Sequence, residues 1–280
     1  MAAMRATSTT KAAVGGETTG RTVTYRPIRW ADLDAITDEF ERTWGHCSSA
    51  AGTTASIVVS RHFVLHYLEP ATGGIIAEIG GRPAGTLIYR IPGAPRLFAQ
   101  AQELLAQTDA RLEGDPIGAR SLHETLQWHQ VETDMESANG IDAAQWAEIE
   151  LFLVAASARG HGIGGGLWRR AMDALASAGV ERFFLHTDSS CDVGFYDHQG
   201  LDRVAERFAA DHRADGGENG GGAAGGEMDD LFIYAGVPSV AVQPGAQPGA
   251  RSGAFRCALP TAASPSDAGD ATAGMAEVTR

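Results

Sequence analysis

Apolar residues recur along this chain with two periods, and the switches between them mark its elements. TVTYRPIR (22–29) has strand composition, and ADLDAITDEFERTWG then sets Leu33, Ile36 and Phe40 at helical spacing with Gly45 beyond the end. ASIVVSRHFVLHYLE predicts a second helix, stopped by Pro70, and GGIIAEIGGRPAGTLIYRI is two apolar runs around a Gly-Gly turn, a hairpin pattern. Residues 92–146 interrupt the strands with helical text, RLFAQAQELLAQTDARL and then SLHETLQWHQVETDMESANG, the latter with Ser121 and Glu124 in capping-box spacing and Gly140 as a stop. AEIELFLVAA reads as a strand, LWRRAMDALASAG as a helix capped by Gly179, ERFFLHTD as a strand and SCDVGFYDHQG as a short helix. DRVAERFA and DDLFIYAG close the pattern as two strands around a glycine-filled loop expected to be mobile.

The period fails at both ends. Residues 1–21 and 238–280 are rich in Thr, Ala, Gly, Pro and Ser and read as disordered tails, leaving a single domain over 22–237 with 92–146 as a helical insertion. The first 20 residues lack the apolar core of a signal peptide, and no apolar run approaches the roughly 18 residues of a spanning helix. A charge of −13, from 22 basic and 35 acidic residues, disfavours nucleic acid and anionic membrane as partners. Cys47, Cys191 and Cys257 are odd in number and share no metal-like spacing, so neither a disulfide framework nor a zinc site is expected, and a reducing cytoplasm fits.

The segment RGHGIGGG (159–166) changes the picture most. Five of its eight residues are glycine where the chain enters a helix, and glycine inside a helix costs about 1 kcal/mol relative to alanine. A flexible turn is the bland reading. A dinucleotide site is a second, because Gly160, Gly162 and Gly165 satisfy G-x-G-x-x-G and Asp188 ends the next strand; against it, AASAR separates the strand end near Val154 from the first glycine. A Walker loop fails for want of a following Lys-Ser or Lys-Thr. A third reading takes Arg159, Gly162 and Gly164 as R-x-x-G-x-G, a loop turning into a helix N-terminus whose free N–H groups and positive dipole end receive a pyrophosphate.

At these residues the chain resembles the GNAT superfamily of acyl-CoA-dependent N-acyltransferases. The likeness extends upstream through LFLVAASARGHGIGGGLW, with five residues from Val154 to Arg159, and downstream to FYDHQGL (195–201). It implies a mixed α/β fold, a twisted mixed sheet of about six to seven strands flanked by helices, with acetyl-CoA as cosubstrate and an amine as acceptor. The pantetheine arm would lie beside Leu153 and Val154, and the pyrophosphate on Arg159, Gly160, His161, Gly162, Ile163 and Gly164. Tyr196 would be the acid that protonates the leaving sulfur. Glu148 matches the family's base position and Glu150 is the fallback, both carboxylates facing away from an apolar face formed by Ile149, Leu151 and Leu153. Ser189, where the family commonly has asparagine, would join these cofactor contacts, and Leu201 stands where the family has phenylalanine. No metal is expected, and a homodimer is left open.

Other features carry weaker chemistry. His62 and His66 are spaced i, i+4 without the glutamate of a metalloprotease motif. Cys191 precedes a short helix but has no evident base, and Glu132, Asp134 and Glu136 read as a solvated face or as an attraction for a cationic amine. The expected function is acetyl transfer to a primary amine, with a small molecule favoured because an insertion can roof the cleft. The alternatives are a non-catalytic acyl-CoA sensor and, third, a dinucleotide-dependent oxidoreductase.

Overall fold

A computed structural model describes residues 22–212 and 229–238. Both expected tails, apart from Pro238, and most of the glycine-filled loop lie outside them. The strands are β1 (Val23–Pro27), β2 (Gly73–Ile79), β3 (Arg82–Arg90), β4 (Ala147–Val154), β5 (Phe183–Asp188), β6 (Asp202–Arg207) and β7 (Leu231–Gly236). They form one sheet in the order β1-β2-β3-β4-β5-β7-β6, antiparallel throughout except where β4 meets β5. The helices are α1 (Leu33–Trp44), α2 (Ser56–Leu68), α3 (Ala101–Glu113), α4 (Pro116–Ala138), α5 (Ile163–Ser177) and α6 (Val193–His198).

The apolar pattern sorts these elements onto two sides of the sheet. Leu33, Ile36 and Phe40 of α1 are buried as their spacing predicts, and they join residues of α2, Leu112 of α3, Leu122 of α4, and Ile76, Ile88, Leu151 and Leu153 of the sheet in one cluster. On the other side Leu167, Trp168, Ala171 and Leu175 of α5 pack with Leu87, Ile149, Phe183 and Tyr234. Gly80 and Gly81 both have positive φ (59° and 74°), which the tight turn of the β2–β3 hairpin requires and a residue with Cβ adopts only under strain.

Three boundaries differ from expectation. α3 begins at Ala101, five residues after the start of the helical text. α4 begins at Pro116, because Asp115 accepts hydrogen bonds from the N–H groups of Ile117 (3.0 Å) and Gly118 (2.8 Å) and proline is preorganised for the first turn. Ser121 therefore sits inside the helix as a buried residue rather than capping it. α5 begins at Ile163, so Gly164, Gly165 and Gly166 lie within its first turn. The insertion is also more than a cover: Trp128 and Met135 of α4 pack on Phe184, Leu231 and Ile233, forming a third core cluster.

Candidate active site

β4 and β5 pair only at Ala147 with Phe183 and Glu148 with Phe184. Beyond these two pairs the strands part, and the edges they turn toward each other have no partner strand. β4 also carries a bulge: opposite Ile88 and Tyr89 of β3 the register steps from Leu151 to Ile149, leaving Glu150 as the extra residue. The bulge breaks the alternation read from the sequence. Ile149 packs with the α5-side core while Leu151 and Leu153 pack with α1 and α2, so they do not share one apolar face. Glu148 and Glu150 nonetheless converge, because both reach Arg90.

At the far end of the opening the chain leaves β4 at Val154, makes a short turn over Ala156–Ala158 and enters α5 through Arg159–Gly162. Gly160 and Gly162 have φ of 79° and 71°, which explains glycine at both. The Gly162 carbonyl accepts the first helical bond from the N–H of Gly166 (3.0 Å), so the N–H groups of Ile163, Gly164 and Gly165 have no carbonyl four residues back to bond. Gly166 is required by packing, since a Cβ there would collide with Tyr25 Oη. Gly164 and Gly165 are not: an added Cβ would lie 3.6 Å from the Phe152 ring at Gly164 and within 4 Å of nothing at Gly165. Two bare positions in a first turn, one under open space and the other in no tight contact, fit a ligand that approaches the backbone. His161 is exposed, its Nδ1 3.2 Å and 3.1 Å from the Ala158 and Arg159 carbonyl oxygens. Arg159 is half-buried beside it.

Between α1, α2 and α4 on one side and the β4–β5 opening on the other lies a cavity of about 310 Å³. Phe40, Trp44, Phe63, Tyr67 and Trp128 give it aromatic walls, and Tyr196 lines it with Leu185 and Phe152. Its polar floor is a charged network. Arg90 donates to Glu148 (2.8 Å), to Glu150 (3.2 Å) and to the Ala143 carbonyl (2.6 Å). His186 stands 3.4 Å from Glu148 through Nδ1 and 3.4 Å from Glu136 through Nε2.

These contacts divide the carboxylates. Burial pushes Glu148 up, but the His186 hydrogen bond and charge, with the Arg90 guanidinium, outweigh it and hold the carboxyl below its usual range. Burial and then the charge of Glu148 push Glu150 well above its usual range, against the pull of Arg90. Burial raises Glu136 to about 7, with His186 opposing and Glu148 reinforcing. Burial alone would lower His186; Glu132, Glu148 and Glu136 overcome it and raise the ring to about 9. Donor atoms of Glu136, Glu148 and His186 lie within 4.8 Å of one another, a metal-like spacing. The protonated imidazole, however, offers a proton there rather than a lone pair, and Arg90 already holds one oxygen of Glu148.

Tyr196, on α6, is 6% exposed and packs among Trp168, Phe195 and Tyr234. Burial, then the charges of Cys191 and Asp188, push its phenol above the ordinary value, so it keeps its proton. Cys191 lines the same cavity with Sγ 3.4 Å from Asp188; burial and that carboxylate push the thiol up, away from nucleophilic thiolate. Asp188 accepts from the Ser190 N–H (2.7 Å) and from its hydroxyl, so the carboxylate is engaged by its own turn. Ser189 ties the end of β5 to the start of β7, donating to Asp229 (3.2 Å) and accepting from the Asp230 N–H (3.1 Å).

Sequence reasoning missed Arg90, His129 and His186, which no local motif marks. It also misjudged one helix face. Glu132 and Glu136 line the cavity, whereas Asp134 is exposed and bonds Gln130. His62 pairs with Asp109 (2.5 Å), while His66 stacks on His129 at 3.8 Å between ring centroids and is lowered by burial, then by His62, to about 4.

Residues 33–201 match the acetyltransferase (GNAT) family. Similar solved structures include a putative acetyltransferase of the GNAT family from Desulfovibrio desulfuricans (14% identity, 78% of this chain and 100% of that chain, TM-score 0.42). They also include the ribosomal-protein-S18-alanine N-acetyltransferase of Escherichia coli (13%, 79% and 96%, TM-score 0.44) and arylalkylamine N-acetyltransferase 2 of Aedes aegypti (15%, 78% and 99%, TM-score 0.48). No curated protein matches the chain. Among the described residues no helix is long and apolar enough to cross a membrane.

Proposed function

The chain belongs to the GNAT acetyltransferase family, and from that premise we propose that it moves an acetyl group from acetyl-CoA to the primary amine of a small molecule in a ternary complex. The observation that carries the reading is the pair of unexplained glycines, Gly164 and Gly165, at a helix start that opens from the parted strands β4 and β5. Acetyl-CoA supplies a thioester carbonyl to which an amine nitrogen adds as the carbon–sulfur bond breaks.

The residues divide that work. Backbone N–H groups of Ile163 and Gly164, with Arg159 and the turn at Gly160, His161 and Gly162, receive the pyrophosphate. Leu153 and Val154 offer an unpaired strand edge to the pantetheine arm. An ammonium must lose one proton before it attacks, and Glu150 suits that task better than Glu148: its raised pKa makes it the stronger base, while Glu148 is held ionised by two cations. Tyr196 keeps its proton and hands it to the departing sulfur. The second nitrogen proton leaves as the amide forms and makes good the proton Tyr196 has given, so of the two protons nitrogen loses one is balanced by the thiol and one is released overall. Ser189 drops out of the cofactor set, because its hydroxyl is engaged with Asp229 and Asp230. The roof formed by α4 favours a small acceptor over a folded protein surface.

Calorimetry with acetyl-CoA, coenzyme A and NAD, followed by thiol release over an amine panel, tests the reading. Coenzyme A binding with amine-dependent thiol release is expected. Binding without release under any amine supports a sensor, and preference for NAD overturns the proposal.

A further inference from the structure

The cavity gathers more buried carboxyl groups than it has cations to balance them. Glu132 and Glu136 of α4 and Glu148 and Glu150 of β4 line it, against one guanidinium, Arg90, and one imidazolium, His186. Arg90 is committed to Glu148, Glu150 and the Ala143 carbonyl, and His186 is shared between Glu136 and Glu148. Glu132 receives a neutral donor, Trp128 Nε1 at 3.2 Å. Buried carboxylates without a full counter-charge are relieved by taking up protons or by a cation from outside.

A second observation is independent of charge. The remaining walls are aromatic, from Phe40, Trp44, Phe63, Tyr67 and Trp128, surfaces that accept a methylene span and attract the flank of a cation. The cavity-lining His129, held neutral by burial first and then by His66, keeps a buried Nε2 without a hydrogen-bond partner among the described residues. The volume of about 310 Å³ leaves room for a short amine.

An attacking nitrogen must be neutral, so the carboxylate beside it accepts a proton and cannot also serve as a permanent counter-ion. In the reading above Glu150 takes that role. Glu132 and Glu136, one helical turn apart on α4, are left with none. We propose that the acceptor is a small diamine: one nitrogen enters the β4–β5 opening and is acetylated, while the other stays an ammonium against Glu132 and Glu136, with the apolar span on the aromatic wall. This rests on the acetyltransferase reading.

The affinity of such a ligand should follow Glu136. The groups that face it are Glu132 on its own helix, Arg90 of β3, Glu148 of β4 and His186 of β5. Raised to about 7, Glu136 gains its charge as pH rises from 6 to 8, while amines of pKa about 10 remain charged, so diamine binding tightens across that range.

The test uses the full chain and two matched pairs, cadaverine against pentylamine and para-xylylenediamine against para-methylbenzylamine, with binding read by calorimetry and turnover by thiol release. The diamine of at least one pair should exceed its partner about tenfold in kcat/KM, beyond the factor of two for two reactive nitrogens and chiefly through KM. Glu132→Gln and Glu136→Gln, near-isosteric changes, should bring that ratio toward two. Wild-type protein that binds acetyl-CoA but uses the monoamines as well as the diamines, or uses none of the four, overturns the proposal. So does a preference that survives both substitutions. Failure to bind acetyl-CoA would instead overturn the reading beneath it.

Discussion

The loop ahead of α5 and the cavity beneath α4 are built on opposite principles. The loop is a run of consecutive residues whose working parts are backbone N–H groups, and its glycines are there to keep side chains out. The cavity is assembled from side chains of α1, α2, β3, α4, β4, β5 and α6, and its character comes from charges that neutralise one another only when the fold is complete. A site of the first kind should tolerate loss of a side chain and fail when volume is added. One of the second kind should do the reverse.

Arg90→Met offers the hardest test of the assembled site. It leaves Glu148 and Glu150 buried without their shared cation, and breaking a buried pair from one side typically costs about 3–5 kcal/mol. Urea denaturation at pH 8 should show a loss of that order. With the guanidinium gone, Glu150, already raised by burial and by Glu148, loses its counter-charge, and Glu148 keeps only His186 of the two cations that hold it down, so the folded protein takes up protons more readily. The deficit should therefore shrink as pH falls toward 5, and an equal deficit at both pH values would mean that Arg90 acts through packing instead of charge.

Tyr196→Phe keeps the ring and removes one proton. We expect kcat to fall about 10- to 10³-fold while acetyl-CoA affinity holds, the lower part of the usual range for general acids because a thiolate leaves tolerably unaided. Since burial pushes the phenol above its ordinary value, any alkaline limb of the kcat profile near neutrality should persist in the mutant. A loss under about threefold with chemistry rate-limiting would leave Tyr196 as packing.

For the loop, the diagnostic change is addition. Gly164→Ala with Gly165→Ala meets no tight contact in the protein and improves helix propensity, so melting temperature should rise, by up to about 1 kcal/mol of stability per site. Coenzyme A affinity should nevertheless fall at least tenfold, about 1.4 kcal/mol. Gly166→Ala, which collides with Tyr25, should lower stability instead. If the paired substitution leaves coenzyme A binding intact by calorimetry, the glycines serve something else. The smallest effect is expected from Arg159→Ala, below tenfold in the same measurement, because the backbone donors remain.

Much of the fold was visible in the pattern of apolar residues. Leu33, Ile36 and Phe40 marked the buried stripe of α1, the Gly-Gly pair marked the β2–β3 turn, and the helical text of 92–146 marked the insertion between β3 and β4. The start of α4 was misplaced because Ser121 and Glu124 mimic a cap five residues inside a helix that Asp115 and Pro116 begin. Alternation along β4 was misread because a bulge depends on the partner strand, which the local sequence does not contain.

By itself, then, the sequence determined what depends on neighbours along the chain: the order of elements, the bare backbone ahead of α5 and the tyrosine segment that follows β5. Only the tertiary structure decided which charges meet. Arg90 lies 58 residues from Glu148 in sequence, and they meet because β3 and β4 pair across the insertion. The same packing turns Glu132 and Glu136 from a solvated helix face into cavity wall. Burial raises both Glu148 and Glu150, two residues apart on one strand, and the His186 and Arg90 contacts then draw their pKa values apart, because desolvation and Coulomb forces act through space and carry no period that a sequence can display.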